Sequence, residues 1–293
     1  MTRIIESLAE IAGRYRVLYC DLWGCLHDGL NLFPPAVAAL QAFRAGGGAV
    51  VLMTNAPRTH HAVARRLDRM GLPPDAWDLI VASGDATQEA MLMGAAGRRV
   101  WHLGPAKDED LFTEIPDWLR DRPVPERVAL EQAEGIVCTG PFDECTDRPE
   151  DYRPRFLLAK TKGLPMLCAN PDLWVDVGAQ RIPCAGLLAQ YYEGMGGHAQ
   201  SFGKPHPPIY DLARRRLAER GVAVDPDDVL VIGDGILTDI PGAAAEGFDA
   251  LFVTGGLEAR RFGPDPDRPD PAAVQAWLAE VGQAPRYAIG RLR

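Results

Sequence analysis

Tyr19-Cys20-Asp21-Leu22-Trp23-Gly24-Cys25-Leu26-His27-Asp28-Gly29 closes an apolar run that starts near Arg16 and reads as a strand. A carboxylate just past a buried strand, with a glycine turn behind it, occupies a costly position. Taken by itself, Asp21 serves equally well as the end of a strand or the cap of a turn, places that aspartate often takes. The rest of the chain decides between those readings.

Outward from this stretch, strand-sized apolar runs alternate with segments of helical period, the pattern of an α/β protein with a parallel sheet. The spacing predicts strands over 16–22, 49–53 and 79–82, and helices over 34–45, 59–70 and 85–93. The rhythm resumes with helices over 207–220, 238–245 and 272–281 and strands over 229–232 and 250–253. Between the two halves, strands over 98–102, 135–138 and 165–169 and helices over 153–162 and 182–192 suffice for a second α/β domain. The expected organisation is a discontinuous core, residues 1–83 and 198–293, carrying an inserted domain over 84–197.

The chain has 293 residues, 47% hydrophobic and 24% charged, an ordinary soluble composition. No run approaches the ~20 apolar residues of a membrane helix. The first ten residues carry Arg3, Glu6 and Glu10 and lack the layout of a signal peptide. Membrane and secreted classes are excluded on this reading, and a cytoplasmic location is expected. With 40 acidic against 31 basic residues the net charge is −9, without a separate basic cluster, so no nucleic-acid partner is expected. An anionic substrate is mildly repelled at long range, and a phosphate site must be built from local donors. Six cysteines without CxxC spacing read as buried thiols, and the histidines form no zinc pattern.

Three further groups end predicted core strands, where open parallel sheets hold ligands. Leu52-Met53-Thr54-Asn55-Ala56 offers a hydroxyl and an amide, able to bind an anion or to cap the following helix. In Phe202-Gly203-Lys204-Pro205-His206-Pro207 the lysine is restrained between glycine and proline, so its ammonium can be aimed at phosphate. Val231-Ile232-Gly233-Asp234-Gly235-Ile236-Leu237-Thr238-Asp239 frames a glycine turn with two carboxylates, which suit Mg²⁺ or a helix cap. Carboxylate, Thr-Asn, Lys and paired Asp, in that order, supply a nucleophile, phosphate donors, a charge neutraliser and a metal site.

In this order the sequence resembles the haloacid dehalogenase superfamily, in its NagD-like and p-nitrophenylphosphatase-like subclass, whose cap lies between the second and third motifs. Cys168-Ala169-Asn170-Pro171-Asp172 resembles the Asn-Pro-Asp segment of such caps. The resemblance implies a Rossmann-like parallel-sheet core with an inserted α/β cap of the C2 type. It implies a Mg²⁺-dependent phosphohydrolase acting on a small phosphorylated metabolite through an aspartyl-phosphate at Asp21. Thr54, Asn55, Gly24 and Lys204 would bind phosphate, with Lys204 also offsetting charge in catalysis. Asp21, the Trp23 carbonyl, Asp234 and Asp239 would hold Mg²⁺. Related caps dimerise, so a homo-oligomer through the insert is expected.

One position departs from the family pattern. Two residues after the nucleophile the family carries a second aspartate, the general acid and base; here Trp23 stands there, and indole cannot exchange that proton. His27, Asp28, Asp143, Glu144, Asp147 and Asp172 are the candidate substitutes. Two alternatives follow: a degenerate member that binds or senses a phosphorylated ligand without efficient turnover, or a phosphonate-cleaving relative using a cap lysine such as Lys107, Lys160 or Lys162.

Overall fold

All four residues of the strand Val17–Cys20 and all five of Val229–Gly233 are buried. Strands that are apolar without alternation are covered on both faces, the condition of a parallel sheet flanked by helices. The computed structural model describes residues 1–177 and 180–293. Its architecture is the expected one, an α/β Rossmann-like core with an inserted α/β cap. Two compact units divide the chain: Met1–Thr54 with Arg66–Val81 and Tyr210–Arg293, and Asn55–Arg65 with Ala82–Ile209. No helix among the described residues is long and apolar enough to cross a membrane.

In the first unit the sheet runs Arg3–Ile4, Tyr287–Ile289, Asp249–Val253, Val229–Gly233, Val17–Cys20, Ala49–Thr54 and Leu79–Ala82 from edge to edge. The pairings from Arg3–Ile4 through Ala49–Thr54 are parallel. Ile232 lies opposite Cys20 and Cys20 opposite Leu52, so the loops that begin at Asp21 and Asp234 and the strand end at Thr54 share one edge. From Val17–Cys20 the chain moves outward through Ala49–Thr54, and from Val229–Gly233 it moves the other way through Asp249–Val253. The strand order therefore reverses between the two central strands, and ligands of open parallel sheets bind at the carboxyl ends there.

The helix Pro34–Ala45 shows how local signals set the packing. Prolines occupy its first turn, where a missing N–H costs nothing, and it buries Ala36, Val37, Leu40 and Phe43 on one stripe. Tyr19 packs edge-on to Phe248 with ring centres 5.6 Å apart, worth about 0.5–1.5 kcal/mol beyond the area it buries.

The second unit has its own parallel sheet, in the order His198–Ser201, Pro165–Cys168, Gly135–Cys138, Arg99–Leu103 and Glu126–Arg127. A separate antiparallel pair joins Trp174–Val177 to Gln180–Pro183. Tyr152, Phe156 and Tyr192 are buried under the sheet, and the Tyr192 hydroxyl donates to the Leu164 carbonyl at 2.8 Å.

Three boundaries differ from expectation. The helix expected over 182–192 starts at Ala185, because Ile182 and Pro183 belong to the antiparallel pair and Cys184 is extended (φ −105°, ψ 175°). His198–Ser201, expected in the core, pairs with Pro165–Cys168 instead. Residues 55–65 belong to the second unit, where Arg58 Nε donates to Asp110 Oδ1 at 3.1 Å and the Thr59 N–H to Asp110 Oδ2 at 3.0 Å. The two compact units exchange along the chain at 54/55, 65/66, 81/82 and 209/210.

Leu18 is fully buried in the central strand. Leu18→Ala should cost about 2–5 kcal/mol, read as a lower urea midpoint by circular dichroism. A cost under about 1 kcal/mol would contradict a strand covered on both faces.

Candidate active site

The strand Val17–Cys20 hands its ladder on to Asp21, whose N–H donates to the Ile232 carbonyl at 2.8 Å. That bond fixes the backbone from which the Asp21 carboxylate projects at the sheet edge. Asp21 and Asp234 are each 8% exposed, and Cys25, one turn on, is fully buried. One carboxylate oxygen from each aspartate and the Cys25 Sγ lie within 4.8 Å of one another.

Glycines make room for this group. A Cβ on Gly24 would stand 2.0 Å from Asp234 Oδ2, and one on Gly256 would stand 2.1 Å from the same oxygen. Gly24 also needs its positive φ of 75°, which side-chain-bearing residues rarely adopt. The Leu257 N–H donates to Asp234 Oδ2 at 2.7 Å, which pins that carboxylate between the two glycines. Asp239, 1% exposed, is turned into its own loop: Gly235 N–H donates to its Oδ2 at 3.2 Å, and its carboxylate packs against Gly233. Asp239 thus lies outside the three-atom group and braces the turn that carries Asp234.

Two buried carboxylates at about 4 Å oppose each other by about 4 kcal/mol at an effective dielectric of about 20. A divalent cation removes that cost, and one or two carboxylates with retained waters are what Mg²⁺ takes. The cradle fits such an ion. Burial, then the charges of Asp234 and Asp21, push the Cys25 thiol well above its ordinary range.

Trp23 stands half-buried in the same loop as a fixed plate. Its ring packs edge-on to His27 with centres 5.1 Å apart, and the Arg66 guanidinium covers it at 5.1 Å. Gly29 closes against it, since a Cβ there would lie 2.4 Å from the indole. His27 is 2% exposed and its Nδ1 accepts the Gly29 N–H at 3.0 Å, so the neutral ring carries its proton on Nε2. Burial and then Arg66 push His27 down to about 4. Asp28 accepts the N–H groups of Leu30 and Asn31 at 2.8 and 2.7 Å, and the Asn31 bond leads in holding its carboxyl below the usual range. Both neighbours of the missing acid are occupied in shaping the loop.

Within the second unit, Lys204 is 2% exposed and Asn55 3%. Asn55 Oδ1 accepts the Lys204 N–H at 2.7 Å, while its Nδ2 donates to the Lys204 carbonyl at 3.1 Å and to Asp172 Oδ1 at 2.9 Å. Asn55 was expected on phosphate; its side chain clamps the Lys204 backbone, and Asp172 orients the clamp. Gly203 permits the approach, because a Cβ there would stand 2.4 Å from Asn55 Oδ1. Thr54, 7% exposed, ends the strand Ala49–Thr54 in the first unit.

The other candidate acids are likewise engaged. Asp147 accepts the Tyr152 hydroxyl and the Asp143 N–H, Asp143 accepts the Cys145 N–H at 2.9 Å, and Glu144 pairs with Lys107. Lys162 donates to the carbonyls of Leu130, Glu131 and Ala133 at 3.2, 2.6 and 3.1 Å, so its ammonium is spent within the fold. Sequence reasoning missed Cys25, Leu257 and the Asp172–Asn55 link. The Gly255-Gly256 pair after a strand was the available signal for the Asp234 cradle.

Gly24→Ala should push the Asp234 carboxylate aside and weaken Mg²⁺ binding by ~10–100-fold in calorimetry, with the circular dichroism spectrum retained. Undiminished affinity would mean that Asp234 is no ligand. His27 is held below the unfolded value of 6.5, so its contribution is present above that value and is lost as pH falls toward about 4. Wild type should therefore lose stability relative to His27→Gln between about pH 6.5 and 4 in urea titrations; parallel curves would contradict a neutral, buried His27.

Comparison with known proteins places this geometry. A family model for haloacid dehalogenase-like hydrolases matches residues 18–115, and a second, HAD-hydrolase-like model matches residues 201–280. A solved hydrolase of the haloacid dehalogenase-like family from Brucella suis is 37% identical, with a TM-score of 0.84 over 99% of this chain and 100% of that one. A 4-nitrophenylphosphatase from Thermotoga maritima is 19% identical, with a TM-score of 0.70 over 96% of each chain. A glycerol phosphate phosphatase from Mycobacterium tuberculosis, solved with calcium, is 25% identical, with a TM-score of 0.63 over 85% of this chain and 68% of that one. No curated protein matches. With the 37% identity running the length of both chains, this chain belongs to the haloacid dehalogenase-like hydrolases.

Proposed function

We propose that the chain is a Mg²⁺-dependent phosphohydrolase acting on a small phosphorylated metabolite through an aspartyl-phosphate at Asp21. The observation that carries this is the buried Asp21–Asp234 pair at the carboxyl edge where the strand order reverses. The similar solved proteins include a 4-nitrophenylphosphatase and a glycerol phosphate phosphatase, which supports the reaction class. Asp21, the Trp23 carbonyl and Asp234 would hold the metal, with Asp239 bracing the turn. Bound there, Mg²⁺ neutralises negative charge on the carboxylates and on phosphate.

Asp21 attacks phosphorus, the bond to the leaving oxygen breaks, and water then attacks the acyl phosphate to return the carboxylate. Thr54 donates its hydroxyl and Gly24 its N–H to phosphate oxygens, and Lys204 neutralises charge from a backbone fixed by Asn55 and Asp172. The motif order and the burial of Lys204 support its role. Trp23 supplies no proton, and His27 and Asp28 are held in the loop, so departure of the alcohol rests on its own stability.

The direct test is a phosphomonoester panel with Mg²⁺, against Asp21→Asn as control; activity equal to that control would end the proposal. Aryl and acyl phosphates should turn over much faster than alkyl phosphates. Trp23→Asp should raise alkyl-phosphate turnover by ~10²–10⁴-fold, the usual worth of a positioned acid and base. A flat dependence on the leaving group would place a proton donor elsewhere. Trp23 also supports a second reading, ligand binding without turnover; a metabolite that raises the melting temperature and is recovered intact would favour it.

A further inference from the structure

Cys25 sits where the proposed metal chemistry has no use for sulfur. Mg²⁺ is a hard cation that takes oxygen, and Asp21, Asp234 and a carbonyl supply oxygen without help. Yet the Cys25 Sγ lies no more than 4.8 Å from a carboxylate oxygen of each aspartate. Zinc bonds of about 2.3 Å to sulfur and about 2.0–2.2 Å to oxygen let one ion span ligand atoms up to about 4.5 Å apart. The three atoms therefore approach one coordination sphere without rearrangement of the backbone. Cys25 follows Gly24 directly, and Gly24 is pressed against the Asp234 carboxylate, so thiol and carboxylate ride on one tight turn. The thiol is fully buried, shielded from bulk oxidants and free thiols.

We propose that Cys25 converts the oxygen site into a mixed oxygen–sulfur site that takes thiophilic divalent cations, Zn²⁺ or Cd²⁺, in competition with Mg²⁺. Thiolate selects such ions over Mg²⁺. On binding, a metal–sulfur bond forms and the thiol proton leaves to solvent, with no change of oxidation state. The thiophilic ion draws on the same Asp21 and Asp234 oxygens as Mg²⁺, so the two ions exclude one another. The inference rests on the metal reading above.

The test uses the full chain with Cys145→Ser, because Cys145 is the exposed cysteine and would bind Cd²⁺ adventitiously. Cd²⁺ is titrated while the ultraviolet sulfur-to-cadmium charge-transfer band is followed, and Mg²⁺ is then added as competitor. One equivalent of band should develop and Mg²⁺ should reverse it. Adding Cys25→Ser, or Cys25→Val should serine fold poorly, should abolish the band and weaken Cd²⁺ by ~10–100-fold, with Mg²⁺ affinity changed less than about twofold. A band that survives loss of Cys25, or a Cd²⁺ affinity that does not fall, overturns the inference and leaves the Mg²⁺ site standing. Absence of Mg²⁺ binding in calorimetry on the parent protein overturns both.

Discussion

Two carboxylates buried side by side are the constraint around which the core of this protein is arranged. Asp21 and Asp234 are almost withdrawn from water with ligand atoms no more than 4.8 Å apart, a placement whose like-charge repulsion a cation would reduce. The surrounding residues keep the pair from escaping. Leu257 N–H holds one Asp234 oxygen, Gly24 and Gly256 leave no free space beside it, and Asp239 braces the turn from below. Such a cradle spends stability to preorganise charge, the arrangement from which metal-assisted phosphoryl transfer draws its rate.

The sheet makes that preorganisation rigid. Parallel register sets the ends of Val17–Cys20, Ala49–Thr54 and Val229–Gly233 at one edge, with Asp21 and Asp234 directly after two of them and Thr54 closing the third. In the second unit the logic is hydrogen bonding: Asn55 spends its whole amide on Lys204 and Asp172, so the lysine backbone is fixed before any ligand arrives. Trp23 stands in the loop after Asp21 as a plate against His27 and Arg66. Its neighbours His27 and Asp28 are held by the loop's own hydrogen bonds.

Much of this was legible in the sequence where local chemistry and burial agree. Pro34-Pro35 and Gly46 bound the helix Pro34–Ala45 as the residues predict, and the buried strands announce themselves by unbroken apolar runs. Legibility fails where tertiary pairing overrides pattern. His198–Ser201 is polar with alternating burial, as an edge strand can be, and Tyr287–Ile289 is three residues long, so neither carries a periodic signal. Residues 55–65 join the second unit through Arg58 and Thr59 binding Asp110, a long-range choice invisible in composition. Cys25 read as one more buried thiol because burial is the common fate of cysteine; only its distance from two carboxylates distinguishes it.

The central claim is that Asp21 is the nucleophile. Rapid quench of the Mg²⁺-loaded protein with an aryl phosphate, borohydride reduction and peptide mapping tests it most directly. The account predicts reduction at residue 21, with an intermediate that persists because Trp23 cannot activate water. Steady release of phosphate with Asp21 unmodified at every quench time would contradict it.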